Sequence, residues 1–312
     1  MTDFATDKLD FSRIDYMRRD RTMKKPLFTG ACTALVTPFQ DDKVHFPMLE
    51  RLLQRQLDAG IRSFVICGTT GESPTLTNAE KLSLFRRAKE YVGKDALIIA
   101  GTGSNSTSHA VSLSKSAQMA GADALLVVSP YYNKATPEGL YLHFKAIAEA
   151  VQIPIILYNV PGRTGVDIPI SVYQRLSGIN NIAGVKEASM DIQKILQIRE
   201  ACPENFAIWT GNDHMTAPVM ALGGQGMISV VSNVEPGKTQ AMTQAALDGD
   251  YQTAAALQQE LYPLIRLLFS EVSPIPVKEA MKLIGYDCGQ CRLPLCSMTE
   301  ENRKNLAQYL PS

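Results

Sequence analysis

The sequence predicts an α/β protein, a closed (β/α)8 TIM barrel followed by a C-terminal helical domain. Three observations lead there. Eight short apolar, β-branched runs recur between residues 26 and 249, starting roughly 20 to 33 residues apart, about the length of one strand-plus-helix unit. The segments between them carry helix start signals and amphipathic stripes. After residue 249 the strands stop and only helical patterns continue. Eight alternations suit a closed parallel barrel. The rival, an open doubly wound sheet, usually carries a glycine fingerprint, and "GTGSNS" at 101–106 offers only two of its three glycines.

The predicted strands lie in "GACTALVTPF", "SFVICGTT" (63–70), "ALIIAGTG" (96–103), "ALLVVSPYY" (124–132), "IPIILYNVP" (153–161), "IAGVKEAS" (182–189), "FAIWTG" (206–211) and "GMISVVSN" (226–233). The first helix, "FPMLERLLQRQLDAGI", sets Leu49, Leu52, Leu53 and Leu57 on one stripe. Thr77-x-x-Glu80 is a capping box opening "KLSLFRRAKEYV", and Thr136-Pro137 gives the next but one an N-cap and a first-turn proline. "YQTAAALQQELYPLIRLLFS", "PIPVKEAMKLIG" and "TEENRKNLAQYL" form the helical domain, residues 250–312. Residues 1–25 are polar and charge-mixed, without the apolar core of a secretory signal, and read as a poorly ordered extension. Met23 opens "MKKPLFTG" and would itself serve as a start.

Composition narrows the function classes. The 312 residues hold 31 basic and 31 acidic side chains, a formal net charge of +0, which argues against nucleic acid or a membrane surface as partner. No apolar run reaches the roughly 18 residues that a membrane-spanning helix needs. Six cysteines, in a chain with no secretory signal, are expected as reduced thiols in the cytoplasm. Cys288-x-x-Cys291 with Cys296 invites a zinc reading. It lacks a fourth ligand at zinc spacing, so the expectation is no metal, with a redox-sensitive tail as the other reading.

In such a barrel, chemistry sits where strands end, on the C-terminal face. The unusual polar residues collect there: Thr69, Thr70 and Glu72 after the second strand, Asn105 after the third, and Tyr131 and Tyr132 after the fourth. Tyr158, Asn159 and Arg163 follow on the fifth, Lys186 stands in the sixth, and Asn212 and Asp213 come after the seventh. Strand alternation puts Ile182, Gly184 and Lys186 on one face and Ala183, Val185 and Glu187 on the other, with Gly184 expected to clear space for the lysine. Inside the barrel, desolvation disfavours the charged amine, and a neutral amine attacks carbonyls to form a Schiff base. The alternative is a structural ion pair with a carboxylate across the barrel. Tyr158, one strand away, offers a hydroxyl for proton transfer, or is a core tyrosine. "GTTGES" supplies two hydroxyls and glycine-permitted amides that suit a carboxylate, or is simply a tight turn. Arg163 is a clamp for a second carboxylate or a solvated loop arginine.

Together, "GTTGES", "SPYYNK", "LYNVPGRTG" and "GVKEAS", with "RLPL" near the end, resemble the dihydrodipicolinate synthase family from about Leu27 onward. The resemblance implies a 4-hydroxy-tetrahydrodipicolinate synthase activity, condensing pyruvate with aspartate-4-semialdehyde without a cofactor. By the same resemblance Lys186 forms the imine, Tyr158, Thr69 and Tyr132 form a proton relay, and Tyr132 comes from a neighbouring subunit of a homotetramer. Thr70 binds the pyruvate carboxylate, Gly211 and Ile228 line the site, and Arg163 holds the second substrate. Members that lysine inhibits hold it with histidines and a glutamate at a dimer interface. Here Ser73, Asn105 and Tyr131 match that site, whereas Asn78, Lys81 and His109 depart from it, so lysine inhibition is expected to be weak or absent. A sister pyruvate-dependent aldolase such as N-acetylneuraminate lyase shares the lysine and the tyrosine, although "YNVPGRTG" favours the synthase. A non-catalytic barrel acting as a ligand sensor is the reading from another class.

Overall fold

A computed structural model describes residues 25–310. The expected extension over 1–25 lies outside the described residues, except for Lys25. Eight parallel strands close into a barrel: β1 (Gly30–Ala34), β2 (Ser63–Ile66), β3 (Leu97–Gly101), β4 (Ala124–Val128), β5 (Ile155–Asn159), β6 (Ile182–Glu187), β7 (Ala207–Thr210) and β8 (Gly226–Ser229). Each pairs with the next, and β8 returns to β1, so the barrel has no free edge. Outside them lie α1 (Phe46–Asp58), α2 (Asn78–Val92), α3 (Thr107–Met119), α4 (Pro137–Ala150), α5 (Ile170–Leu176), α6 (Ile192–Ala201), α7 (Thr216–Ala221) and α8 (Pro236–Leu247). Three more follow: α9 (Tyr251–Leu268), α10 (Ile275–Leu283) and α11 (Glu300–Tyr309). Among the described residues no helix is long and apolar enough to cross a membrane.

The local signals hold. Thr77 and Glu80 form both bonds of the capping box, and Thr136 Oγ1 accepts from Gly139 N with Pro137 in the first turn. Leu49, Leu52 and Leu53 of α1 are buried against the sheet, with Leu57 partly buried beside them. A two-strand hairpin, Phe39–Gln40 with Lys43–Val44, interrupts the first βα connection, where sequence periodicity gave no sign of it.

Two apolar layers result. A large one lies between sheet and helices. A smaller one fills the barrel, with Cys32, Val65, Ile99, Ile156 and Ile228 in it. Trp209 of β7 stacks on Phe28, just ahead of β1, at 4.7 Å between ring centres, and donates its indole N–H to the Phe28 carbonyl. The interior is thus packed solid towards its N-terminal end, which leaves the C-terminal mouth for chemistry.

The strand carrying Lys186 departs from simple alternation. Its register against β5 shifts by one residue between Ile155 and Ile156. Ile182 therefore packs in the helix-facing layer, not on the face of Gly184 and Lys186 as alternation had it. Gly184 is needed for another reason than expected. With φ at +155°, a Cβ there would run into the carbonyl of Ala207 on β7.

Candidate active site

Beyond the bulge, β5 and β6 pair with Tyr158 opposite Lys186 and Asn159 opposite Glu187. Tyr158 and Lys186 face the interior, and their neighbours face the helices. Lys186 is only 5% exposed. Its Nζ lies 4.4 Å from the centre of the Tyr158 ring. Among the described residues it makes no ion pair and no hydrogen bond. The ion-pair alternative therefore has no partner here, and the amine is dry, unclaimed and beside a phenol. Gly211, at the end of β7, is the glycine that clears space for it. A Cβ at Gly211 would sit 2.7 Å from Lys186 Cε and 2.8 Å from the Ala188 Cβ.

Behind the pair, a buried polar cluster fixes both strand ends. Asn159 Nδ2 donates to both Glu187 oxygens at 2.9 and 3.1 Å, Tyr173 donates its hydroxyl to Oε2 at 3.1 Å, and Ser189 N donates to Oε1 at 2.8 Å. Burial pushes the Glu187 carboxyl up, against the opposing charge of Lys194 and these hydrogen bonds. Lys194 in turn pairs with Asp167. Asp213, beyond β7, is buried and accepts from the amides of Val230 and Val231. Burial pushes its carboxyl up to about 6, with those amides and the charge of Lys186 acting against the rise. It ties the loops after β7 and β8 together beside the lysine.

The turn after β2 carries Thr69, half-buried, and Thr70, buried. The amides of Gly71, Glu72 and Ser73 close the turn onto the carbonyls of Gly68 and Thr69. Those of Thr69 and Thr70 make no backbone hydrogen bond among the described residues. Ile228 is fully buried in the barrel interior.

A cavity of about 620 Å³ opens on this mouth. Thr69, Tyr158 and Arg163 line it, and so do Ser73, Asn78, Lys81, His109 and Tyr131. Asn105 is not in its wall; its carbonyl accepts from Asn133 Nδ2. Lys81 is buried, with neither an ion pair nor a hydrogen bond among the described residues, and burial lowers its pKa. Arg163 reaches across to the Ser273 carbonyl at 3.2 Å. Tyr132 stands apart at 89% exposure, in the left-handed region at φ +73°, so it does not complete the mouth of its own chain.

The cysteine tail is quieter than expected. Burial pushes the Cys288 and Cys291 thiols up to about 12, away from the thiolate that redox chemistry needs, while Cys296 is exposed. No group of three metal-ligating side chains assembles among the described residues. Sequence reasoning missed Lys278 and gave Arg292 no role beyond its place in "RLPL". Lys278 falls between Ile275 and Met281 on the apolar face of α10, a charge out of place that could have been noticed.

Residues 27–312 match the model of the dihydrodipicolinate synthetase family. The chain is 49% identical, over 92% of its length and 98% of the relative's, to a 4-hydroxy-tetrahydrodipicolinate synthase of Acetivibrio thermocellus. Its fold is similar to the crystal structure of the dihydrodipicolinate synthase from Aquifex aeolicus, with a TM-score of 0.89 and 42% identity over 90% of this chain and 97% of the other. It is also similar to the enzyme from Cyanidioschyzon merolae solved with lysine bound, with a TM-score of 0.88 and 38% identity over 91% and 97% of the two chains.

Proposed function

The chain belongs to the dihydrodipicolinate synthetase family, and from that we infer how its barrel mouth carries out the 4-hydroxy-tetrahydrodipicolinate synthase reaction of lysine and diaminopimelate biosynthesis. The substrates are pyruvate and L-aspartate-4-semialdehyde. The observation that carries the reading is Lys186, buried without an ion partner and in register with Tyr158.

Lys186 Nζ attacks C2 of pyruvate, and the carbinolamine loses water to leave a protonated imine. The imine withdraws electrons from C3, which loses a proton and becomes an enamine. That carbon attacks the aldehyde carbon of the semialdehyde, and the new alkoxide takes up a proton. The amine of the second substrate then adds to C2, closes the ring and expels Lys186 unchanged. These steps call for no metal, flavin or nicotinamide. Tyr158, Thr69 and Tyr132 move the protons. The amides of Thr69 and Thr70, with the Thr70 hydroxyl, bind the pyruvate carboxylate. Gly211 and Ile228 shape the pocket, and Arg163 clamps the semialdehyde carboxylate.

The exposure of Tyr132 supports an assembly in which it enters a neighbouring subunit's mouth, a homotetramer built as a dimer of dimers. The enzyme works in the cytoplasm. Ser73, Asn78, Lys81, Asn105, His109 and Tyr131 correspond to a degenerate lysine site, at which inhibition by lysine is weak or absent.

Borohydride reduction in the presence of pyruvate tests the chemistry. The mass of a reduced pyruvate adduct is expected on the peptide holding Lys186. Product is expected with aspartate semialdehyde and none with N-acetylmannosamine. An adduct on a different lysine would overturn the assignment.

A further inference from the structure

The last residue of the GTTGE turn, Glu72, has no role in the chemistry above, yet it is among the most completely enclosed charges of the described residues. Its side chain has 0% exposure, and that of its partner Lys278, from α10, has 3%. Lys278 Nζ donates to Glu72 Oε1 at 2.8 Å and to the Gln290 carbonyl at 3.2 Å. The backbone N–H of Arg292 donates to Glu72 Oε2 at 2.9 Å. Both carboxylate oxygens are thus held by the C-terminal domain, more than two hundred residues along the chain.

The backbone of Glu72 explains why so firm a hold is needed. It sits in the left-handed region at φ +56°, which a residue with a side chain adopts only when its surroundings impose it. Its amide closes the turn on the Thr69 carbonyl, and its own carbonyl takes the amide and hydroxyl of Thr75. One residue back, the Gly71 carbonyl accepts from Thr37 at 2.7 Å, and Gly71 lies so close to Cys67 that a Cβ would be crowded. The turn is therefore held just past Thr70, at Gly71 by Thr37 and Cys67 and at Glu72 by the C-terminal domain. Thr69 and Thr70 loop between Cys67 and these two anchored residues. Arg292 closes the same junction from outside, bonding Glu80 at the start of α2 and Asp42 of the hairpin. Lys278 Nζ and the Arg292 guanidinium each lie 4.4 Å from the centre of the Phe39 ring.

We propose that Glu72, gripped by Lys278 and the Arg292 amide, is a positioning residue that sets the Thr69–Thr70 carboxylate cradle, so that the C-terminal helices take part in binding pyruvate. This rests on the functional reading above and adds to it. Small displacements of a binding group cost rate steeply, up to about 100-fold per ångström in a tightly oriented site.

The experiment compares Lys278→Met, Lys278→Arg and the double variant Glu72→Gln with Lys278→Met, which leaves no unpaired buried charge. KM for pyruvate, kcat and melting temperature are measured for each. KM does not depend on how much of a sample is folded, so it reports the cradle even in a destabilised variant. A rise in KM for pyruvate of roughly tenfold or more is expected in Lys278→Met and in the double variant, with partial recovery in Lys278→Arg. A wild-type KM and kcat in the double variant, with only the melting temperature lowered, would reduce the pair to a structural brace and overturn the proposal. Borohydride trapping of pyruvate on the unsubstituted enzyme separates the two readings: failure there defeats the synthase chemistry, whereas success there with unchanged variants defeats only the positioning role.

Discussion

Two lysines, equally hidden from water, divide the molecule. Lys186 in the barrel mouth and Lys278 under the C-terminal tail are 5% and 3% exposed. Lys278 is matched by a carboxylate and a carbonyl, whereas Lys186 lies on the face of a phenol with no hydrogen bond or ion pair among the described residues. A buried amine that is paired and hydrogen-bonded holds structure in place, and one that is not is left free for covalent chemistry. Burial alone says little about a lysine's role. What else the pocket supplies decides it.

Removing the amine has the largest expected effect. Lys186→Met is expected to lower turnover on the order of 10⁴-fold or more, because no other group replaces the imine. Its melting temperature should be unchanged or raised, since no partner is left unpaired. Steady-state assay and thermal denaturation of the same preparation check both halves, and a cooperative loss of stability would place Lys186 with Lys278. Next comes Tyr158→Phe, which keeps the ring against Nζ and removes only the hydroxyl. A loss of about 10² to 10⁴ in kcat is expected from one general acid–base group, and full activity would exclude the phenol from the relay.

Lys278→Met is the mirror experiment, read in stability. It strands Glu72 as a buried, unpaired carboxylate, which costs about 3–5 kcal/mol. Urea denaturation should show that loss for Lys278→Met and much less for the double variant with Glu72→Gln. If the single and double variants melt alike, the pairing contributes nothing. Smaller again is Gly211→Ala, whose added methyl meets the Lys186 stem and Ala188. Overpacking of this kind costs about 1–3 kcal/mol, and here the lysine stem, the softer neighbour, gives way first. A fall in kcat that exceeds the stability loss is expected; unchanged kcat would mean that the amine has slack.

The frame of this comparison was legible in the sequence, and its partners were not. All eight strands follow from the β-branched runs, because each run is buried on both faces of a parallel barrel. Every strand ends before its run does. "SFVICGTT" leaves the sheet after Ile66, where Cys67 turns to φ +57°, and its remaining residues become the mouth. Lys186 and Tyr158 stood out because a polar residue in an apolar strand breaks a strong local pattern. The one-residue bulge beside Ile182 left no trace, since a register slip changes no residue type. For the same reason alternation singled out Gly184, two residues along the strand, when the glycine that accommodates the lysine is Gly211, just past the end of the next strand over. Glu72 finds Lys278 only through the closure of the whole chain.

A third buried lysine tests the principle with the smallest expected effect. Lys81 lines the same cavity as Tyr158, unpaired, on the apolar side of α2 with Leu84, Phe85 and Ala88. The cavity's remaining candidates for an amino-acid effector, Asn78, His109, Ser73 and Tyr131, supply no carboxylate. An entering lysine would bring its own ammonium towards Lys81 and find no carboxylate there to offset the repulsion, a cost on the order of 1–2 kcal/mol at moderate separation in a partly wet site. Submillimolar lysine should therefore leave the steady-state rate unchanged at neutral pH. The residual effect has a definite direction with pH. Burial lowers the Lys81 pKa, so raising the pH discharges it sooner than an ordinary lysine, and the repulsion fades as the pH climbs. Any inhibition that emerges should grow towards alkaline pH, and Lys81→Met should show the same response already at neutrality. Half-inhibition by submillimolar lysine at pH 7 in the unsubstituted enzyme would mean that this buried ammonium is compensated after all, as Lys278 is and Lys186 is not.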